Sequence, residues 1–293
     1  MELIEYKGEK IIIMICSDCN INCKHCYISY TGNRTPEELM QMVEHLKDQY
    51  TIELNGAEVL TNLDYLKAYK LLGQHFLISN GKAILDNPDT IRRLKENDIS
   101  TVSLSYHFGI QDKISVVTEE DLNEIIKELQ ANGIEVRLMT TINSSNYDRI
   151  QEMCDRASDL GARAIKFTKY IAQGNARHLD ASNKLEDHQV MDFFQQLGEA
   201  RKQYDEKELL IERCGTFGMD PTKEKNNFEC CSMNNLVVIT PDNHIYPCVF
   251  LAKPGYEIGR YEDGKILVDP SYTWNHTKCL TDEICNKGYQ YKK

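Results

Sequence analysis

The sequence predicts an α/β fold: a partial (β/α)6 TIM barrel over residues 1–206, followed by a small cysteine-rich α+β domain over residues 207–293. Three observations carry this prediction. Apolar β-branched runs alternate with amphipathic helical patterns from residue 10 to about residue 170, the order that builds a parallel sheet. The alternation changes near residue 207 and gives way to short strand patterns. Six of the eleven cysteines fall in that last third, at Cys214, Cys230, Cys231, Cys248, Cys279 and Cys285.

The elements follow from local chemistry. Ile11, Ile12, Ile13, Met14 and Ile15 form a β-branched run bounded by polar residues, the pattern of a strand buried on both faces. Thr35, Pro36 and Glu38 occupy the N-cap, N1 and N3 positions of a helix whose face is Leu39, Met42, Val43 and Leu46. A strand at 51–54 runs into Asn55, Gly56, Ala57 and Glu58, and a helix covers 63–72. The strand at 75–78 ends at Ser79, Asn80 and Gly81; a helix at 88–97 precedes a strand at 101–105. A helix at 119–132 stops at Gly133, as a left-handed cap requires. The strand at 135–141 ends near Asn143, and a helix over 147–160 closes at Gly161. A sixth strand at 164–167 leads through Gly174 to a helix near 188–203.

Six strand–helix units suit an open barrel, and right-handed crossovers put every strand's C-terminal loop on one rim. Glu58, Asn80, Ser105, Asn143 and Gly174 then share that rim with the loop after the first strand. Residues 236–248 read as a β-hairpin turning at Asp242 and Asn243. A region of fewer than ninety residues has a small core, and a metal centre would supply the missing stabilisation.

The net charge of −11 argues against a general nucleic-acid binder, which needs a basic face. No basic and apolar leader is visible at the start of the sequence, and no apolar run approaches the ~20 residues of a spanning helix. Cytoplasm without membrane association is the expectation. There the cysteines are expected to be reduced, and metal binding outranks disulfides.

The chain is organised around the loop containing Cys19, Cys23, His25 and Cys26. A loop at the C-terminal end of a parallel strand is where α/β proteins place their chemistry. Three thiolates so spaced hold three irons of a cubane and leave the fourth open. Zinc, or burial of small apolar thiols, stands beside that reading.

The spacing of Cys19, Cys23 and Cys26 resembles the defining motif of the radical S-adenosylmethionine (SAM) enzymes. The resemblance covers roughly residues 9–178. It implies a [4Fe–4S] cluster on the three cysteines and SAM chelating its open iron. It also implies cleavage of SAM to a 5′-deoxyadenosyl radical that takes hydrogen from a substrate. His25 takes the place of an aromatic residue packed near the adenine. Asn55, Gly56, Ala57 and Glu58 resemble the family's Gly-Gly-Glu-Pro segment, in which the carboxylate binds the SAM ammonium. The first glycine and the proline are replaced here. Asn80 lies in a Thr-Asn-Gly-like turn, and Ser105 and Asn143 match ribose and carboxylate contacts by position.

The C-terminal third resembles the SPASM and shorter Twitch extensions of these enzymes. Cys230, Asn243 and Cys248 fit the pattern of cysteine, strand, turn and second cysteine, with Asn243 in the place of glycine. Cys279 and Cys285 would close one auxiliary [4Fe–4S] cluster, and Cys231 or Cys214 could replace one of the four. Cys214 is alternatively a hydrogen-atom donor. Cys16 and Cys154 read as buried thiols. Tyr106 and His107 follow a strand end; either is a candidate substrate contact or proton acceptor, with Tyr106 the one assigned a catalytic role.

The resemblance implies modification of a ribosomally made peptide, by crosslinking, thioether formation or epimerisation. The alternatives are dehydrogenation of a small carbohydrate-like alcohol and a non-catalytic iron–sulfur carrier. A reductant such as flavodoxin or ferredoxin is the expected partner. With the first strand starting near residue 10, leader recognition is expected from a separate protein or through a short leader.

Overall fold

The computed structural model describes residues 2–179, 181–217 and 236–272. The strands are β1 (Ile4–Glu5), β2 (Lys10–Met14), β3 (Thr51–Asn55), β4 (Phe76–Ser79), β5 (Thr101–Ser105) and β6 (Glu135–Ile142). They continue with β7 (Ala164–Lys169), β8 (Leu210–Arg213), β9 (Leu236–Ile239), β10 (His244–Tyr246), β11 (Gly259–Glu262) and β12 (Lys265–Val268). The helices are α1 (Pro36–Leu46), α2 (Leu66–Leu72), α3 (Lys82–Asp86) and α4 (Asp89–Glu96). After them come α5 (Gln111–Ile114), α6 (Glu119–Ala131), α7 (Ile150–Asp159) and α8 (Asp187–Gln203).

Strands β4 to β8 form a wholly parallel sheet in sequence order. The second sheet runs β1-β12-β11-β10-β9-β2-β3 and is mixed. In it β2 pairs in parallel with β3 on one side and with β9 on the other, Ile12 lying opposite both Glu53 and Val238. Both faces of β2 are covered. Ile11, Ile13 and Ile15 enter the main core, whereas Met14 joins Tyr30, Val238, Tyr246 and Ala252 in a smaller cluster. A strand covered on both faces needs apolar residues at successive positions, which is what the isoleucine run supplies.

Helix α1 begins as expected: the Thr35 hydroxyl accepts from Glu38 N–H, and the Glu38 carboxylate accepts from Thr35 N–H. Leu39, Met42, Val43 and Leu46 form its buried face. Gly133 and Gly161 adopt φ of 74° and 67° after α6 and α7, the left-handed region that ends a helix cheaply only at glycine.

The sheets run across the boundary expected at residues 206/207. Strand β8 extends the parallel sheet beyond the six strands predicted, and β9 attaches the C-terminal hairpin to β2. The final strand returns to the beginning of the chain, β12 pairing antiparallel with β1. Pairing is non-local, so a four-residue segment such as Leu210–Arg213 declares no partner in sequence. Among the described residues, no helix is long and apolar enough to cross a membrane.

Ile13 has no exposed surface and lies between two parallel neighbours. Ile13→Ala is expected to cost about 2–5 kcal/mol of unfolding free energy, since the rigid sheet cannot close the cavity. Urea unfolding monitored by circular dichroism checks this; a loss under about 1 kcal/mol would mean the sheet relaxes around the gap.

Candidate active site

The loop leaving β2 is held on several sides by the ends of other parallel strands. Ile15 N–H donates to Asn55 O at 2.7 Å and Ala57 N–H to Cys16 O at 3.0 Å, joining it to the turn after β3. Gly56 permits this approach, because a Cβ there would lie 3.0 Å from the Cys16 sulfur and 3.1 Å from a Val59 methyl. Lys24 N–H donates to Ile114 O at 3.0 Å, fixing the loop against α5.

The segment after β7 grips the same loop from its other end. Ala176 N–H donates to Cys26 O, Gln173 Nε2 to Tyr27 O, and Asn175 Nδ2 to both Cys23 O and Asn22 Oδ1. Gly174 has φ of 58°, and a Cβ on it would sit 2.6 Å from the carbonyl oxygens of Cys26 and Ile28. Glycine is therefore required on both conformational and steric grounds. The rim expected from the strand order places Gly174 against the cysteine loop; Gln173 and Asn175 are contacts the sequence pattern did not single out.

Cys19, Cys23 and Cys26 are free thiols, as are the other described cysteines. Burial pushes the Cys23 thiol up to about 11; a Ser115 hydrogen bond opposes this, and the charges of Cys26 and Cys19 add to it. Burial likewise raises Cys19 and Cys26, against backbone hydrogen bonds from Ile21 and Ile28 respectively. The Asn80 carboxamide N–H donates to Cys19 Sγ at 3.5 Å. The three sulfurs are thus electrostatic neighbours, and that of Cys19 faces a hydrogen-bond donor in Asn80. Donors directed at sulfur favour thiolate over thiol.

This set fits a cluster. A cubane takes its thiolates at three separate irons, so the sulfurs need not meet on one point. Among the described residues, no three His, Cys, Asp or Glu side chains converge on a single-ion site. His25 carries a further open valence: its Nδ1 is buried with no hydrogen-bond partner. Burial pulls its pKa down to about 4, so the ring is neutral.

Glu58 is fully buried and joins three segments. Its Oε1 accepts from Leu60 N–H and the Ser79 hydroxyl, and its Oε2 accepts from Asn80 N–H at 2.7 Å. Burial nevertheless dominates and raises its pKa to about 7, with the three hydrogen bonds opposing. Asn80 has both amide protons engaged, on Cys19 Sγ and Asn20 Oδ1, while its Oδ1 accepts from Lys82 N–H. Asn55 caps its own turn through Gly56 N–H. Asn143 is committed to a turn with Ser145, and Ser105 ends β5 half-buried.

Of the two candidates after β5, Tyr106 does not face the cysteine loop. Its hydroxyl donates to Glu119 Oε1 at 2.6 Å on the helix layer, and its ring stacks on Phe108. His107 instead meets His25 edge to face, with ring centroids 4.3 Å apart. Successive residues of an extended chain point to opposite sides, so Tyr106 and His107 face different layers. His107 Nδ1 accepts from Thr141 N–H; burial keeps its pKa well below the ordinary value, with His25 adding to the effect.

Cys214 follows β8, its N–H donating to Phe167 O. Burial raises the Tyr27 phenol, and the charges of Cys26, Cys248 and Cys214 add to the shift. That tyrosine therefore lies among one thiol of the loop and two of the C-terminal third. Its ring packs on Phe250, two residues beyond Cys248. Asn243 takes φ of 67° at the hairpin turn, the conformation for which asparagine is the next choice after glycine. Cys230, Cys231, Cys279 and Cys285 lie outside the described residues. Cys16 and Cys154 are buried thiols, as expected.

Residues 13–160 match the model of the family described as the Radical SAM superfamily. Over 254 residues the chain is 24% identical to the antilisterial bacteriocin subtilosin biosynthesis protein AlbA of Bacillus subtilis (strain 168). That alignment covers 80% of this chain and 53% of AlbA. The chain thus spans about half the length of the curated relative it matches. Among solved structures, Streptococcus suis SuiB bound to precursor peptide SuiA superposes with a TM-score of 0.66 at 14% identity, covering 97% of this chain and 66% of SuiB. SuiB has also been solved bound to S-adenosylmethionine, with a TM-score of 0.66 at 16% identity, covering 96% of this chain and 66% of SuiB. The hexahistidine-tagged anSMEcpe with bound AdoMet gives 0.64 at 16% identity, covering 88% of this chain and 78% of that one. These structural likenesses show a shared α/β fold.

The buried Glu58 makes a prediction for the metal-free chain. A carboxyl whose pKa rises on folding stabilises the fold below its unfolded value, about 4.3, and the benefit is lost as pH rises through the folded value of about 7. Urea midpoints of the unmodified chain should therefore fall across that window relative to those of Glu58→Gln. Parallel midpoints for the two chains would show that Glu58 does not titrate there.

Proposed function

The chain belongs to the radical SAM superfamily, a family of enzymes, and on that premise we propose that it modifies a ribosomally made peptide. Cys19, Cys23 and Cys26 hold the [4Fe–4S] cluster in this reading, with His25, Glu58 and Asn80 around the SAM. When bound, the two cofactors supply one-electron cleavage of the sulfonium and a 5′-deoxyadenosyl radical that takes hydrogen from the substrate. The protein's part is positioning. Glu58 locks the turn after β3 to the turn after β4, Asn80 joins that turn to Cys19, and Asn175 fixes the loop carbonyl of Cys23. The remaining acceptor capacity on Oε2 suits Glu58 to receive an ammonium.

The observation that carries the reading is the grouping of three reduced thiols, one of them facing the Asn80 carboxamide, on the loop at the C-terminal end of β2. The peptide class draws support from the relatives: AlbA serves subtilosin biosynthesis, SuiB is seen with its precursor peptide, and anSMEcpe with the Cp18Cys peptide. One auxiliary [4Fe–4S] cluster, with Cys230, Cys248, Cys279 and Cys285 as ligands, belongs to the same proposal. Cys214 shares Tyr27 with Cys248, which supports drawing it into that ligand set. A separate leader-binding protein and a flavodoxin or ferredoxin reductant are its proposed partners.

Anaerobic reconstitution followed by dithionite and SAM should yield 5′-deoxyadenosine, and replacing any one of Cys19, Cys23 and Cys26 with alanine should abolish it. With a peptide encoded beside the gene, deuterium placed in the peptide should appear in the 5′-deoxyadenosine. Cleavage that stays peptide-independent while a carbohydrate alcohol is oxidised would replace the peptide reading; no cleavage at all would leave an iron–sulfur carrier.

A further inference from the structure

The two sheets meet at β3 and β4, each the edge strand of its own sheet. Among the described residues no backbone ladder joins this pair; two side chains bridge it instead. At the C-terminal end of β4, Glu58 accepts from the Ser79 hydroxyl at 2.9 Å and from Asn80 N–H at 2.7 Å. Gln74 bridges the pair from the opposite end of β4. Gly73, with φ of 70°, ends α2 and turns the chain so that Gln74 N–H donates to Tyr69 O at 3.0 Å. The buried Gln74 carboxamide then meets Leu54 as a neighbouring strand would. Its Oε1 accepts from Leu54 N–H at 2.7 Å, and its Nε2 donates to Leu54 O at 3.0 Å and to Phe76 O at 3.0 Å. One side chain thus satisfies the N–H and the C=O that a strand edge leaves open.

We propose that Gln74 is a positioning residue for the SAM site: by clamping β3 to β4 it keeps Glu58 within reach of Ser79 and Asn80, and so holds the carboxylate where the SAM ammonium meets it. This rests on the reading of Glu58 as the acceptor of that ammonium. On either side of the gap the strands are tied into ladders, β3 to β2 and β4 to β5, so each sheet is stiff by itself. Their relative placement along this line depends on the two side-chain bridges. Without the Gln74 clamp, Glu58 alone resists separation of the strands, and Ser79 and Asn80 move with β4. Hydrogen bonds of this kind lengthen little before they weaken, and a carboxylate set to receive a charged group loses affinity when its own partners shift. The Gln74 carboxamide makes its bonds to β3 and β4, so it acts through Glu58 and not on SAM directly.

Hydrogen exchange of the metal-free chain, resolved by amide, tests the clamp. In Gln74→Met the Asn80 amide, which is bonded to Glu58 Oε2, should exchange about 3- to 10-fold faster, the worth of one hydrogen bond. Amides of the β2–β3 and β5–β6 ladders should keep their rates. A general loss of stability would instead speed all of them together and overturn the inference. The anaerobically reconstituted full chain gives the second readout, the SAM dissociation constant taken from the change in its electron paramagnetic resonance signal as SAM is added. Gln74→Met should raise that constant about 3- to 10-fold at unchanged iron content. In the Glu58→Gln background it should add nothing, because residues acting as one unit are not additive. An unchanged constant, or additive effects, would overturn the inference. If Gln74→Met does not fold, Gln74→Glu is read in the same two ways; it keeps an oxygen for Leu54 N–H and gives up the donor to Leu54 O and Phe76 O. Absence of a SAM-responsive cluster in the unmodified chain, or a constant that Glu58→Gln alone leaves unmoved, would instead overturn the assignment of Glu58, and this inference with it.

Discussion

The parallel pairing of β2 with β3 on one side and β9 on the other decides where the cysteine loop leaves the sheet. A strand hydrogen-bonded on both edges and covered on both faces has no freedom to slide, since a one-residue slip would turn Ile11, Ile13 and Ile15 out of the core. The loop after it inherits that fixed origin. Strand-end loops from β3, β5 and β7 then hold its backbone through Ala57, Ile114, Gln173, Asn175 and Ala176. A loop supported this way has less chain entropy to lose if it binds a ligand.

Burial and hydrogen bonding oppose one another throughout the site. Desolvation favours neutral thiols, a neutral Glu58 and neutral imidazoles at His25 and His107. The Asn80 carboxamide, donating to Cys19 Sγ, favours the charged thiolate there. Burial wins while the thiols carry protons. In the proposed cluster, iron would displace the thiol protons, so its assembly would release protons.

The C-terminal third is tied to this frame at more than one point. Arg34, at the return of the cysteine loop, reaches Thr240 O at 2.6 Å and Asn243 Oδ1 at 2.8 Å. Tyr27 sits among Cys26, Cys214 and Cys248. The hairpin that carries Cys248 is therefore anchored to the loop that carries Cys26 through β9, Arg34 and Tyr27, not suspended beside it.

Local chemistry was enough to read much of this molecule from its sequence. The capping box at Thr35 and Glu38, the left-handed turn at Asn243, the isoleucine run of β2 and the reduced thiol triplet all depend on neighbours within a few residues. What failed was non-local. Leu210–Arg213 became an added strand of the parallel sheet because β7 offered an edge, and the different surroundings of Tyr106 and His107 turned on the phase of alternation at the end of β5. Nothing in the sequence joins Ile114 to the cysteine loop until folding brings α5 against Lys24. The alternation of elements and the identity of the three thiols were legible in the linear chain, because spacing and periodicity are properties of the chain itself. Which amide meets Cys19 and which imidazole meets His25 was settled by folding alone, because these contacts join residues dozens of positions apart whose proximity depends on strand order and register.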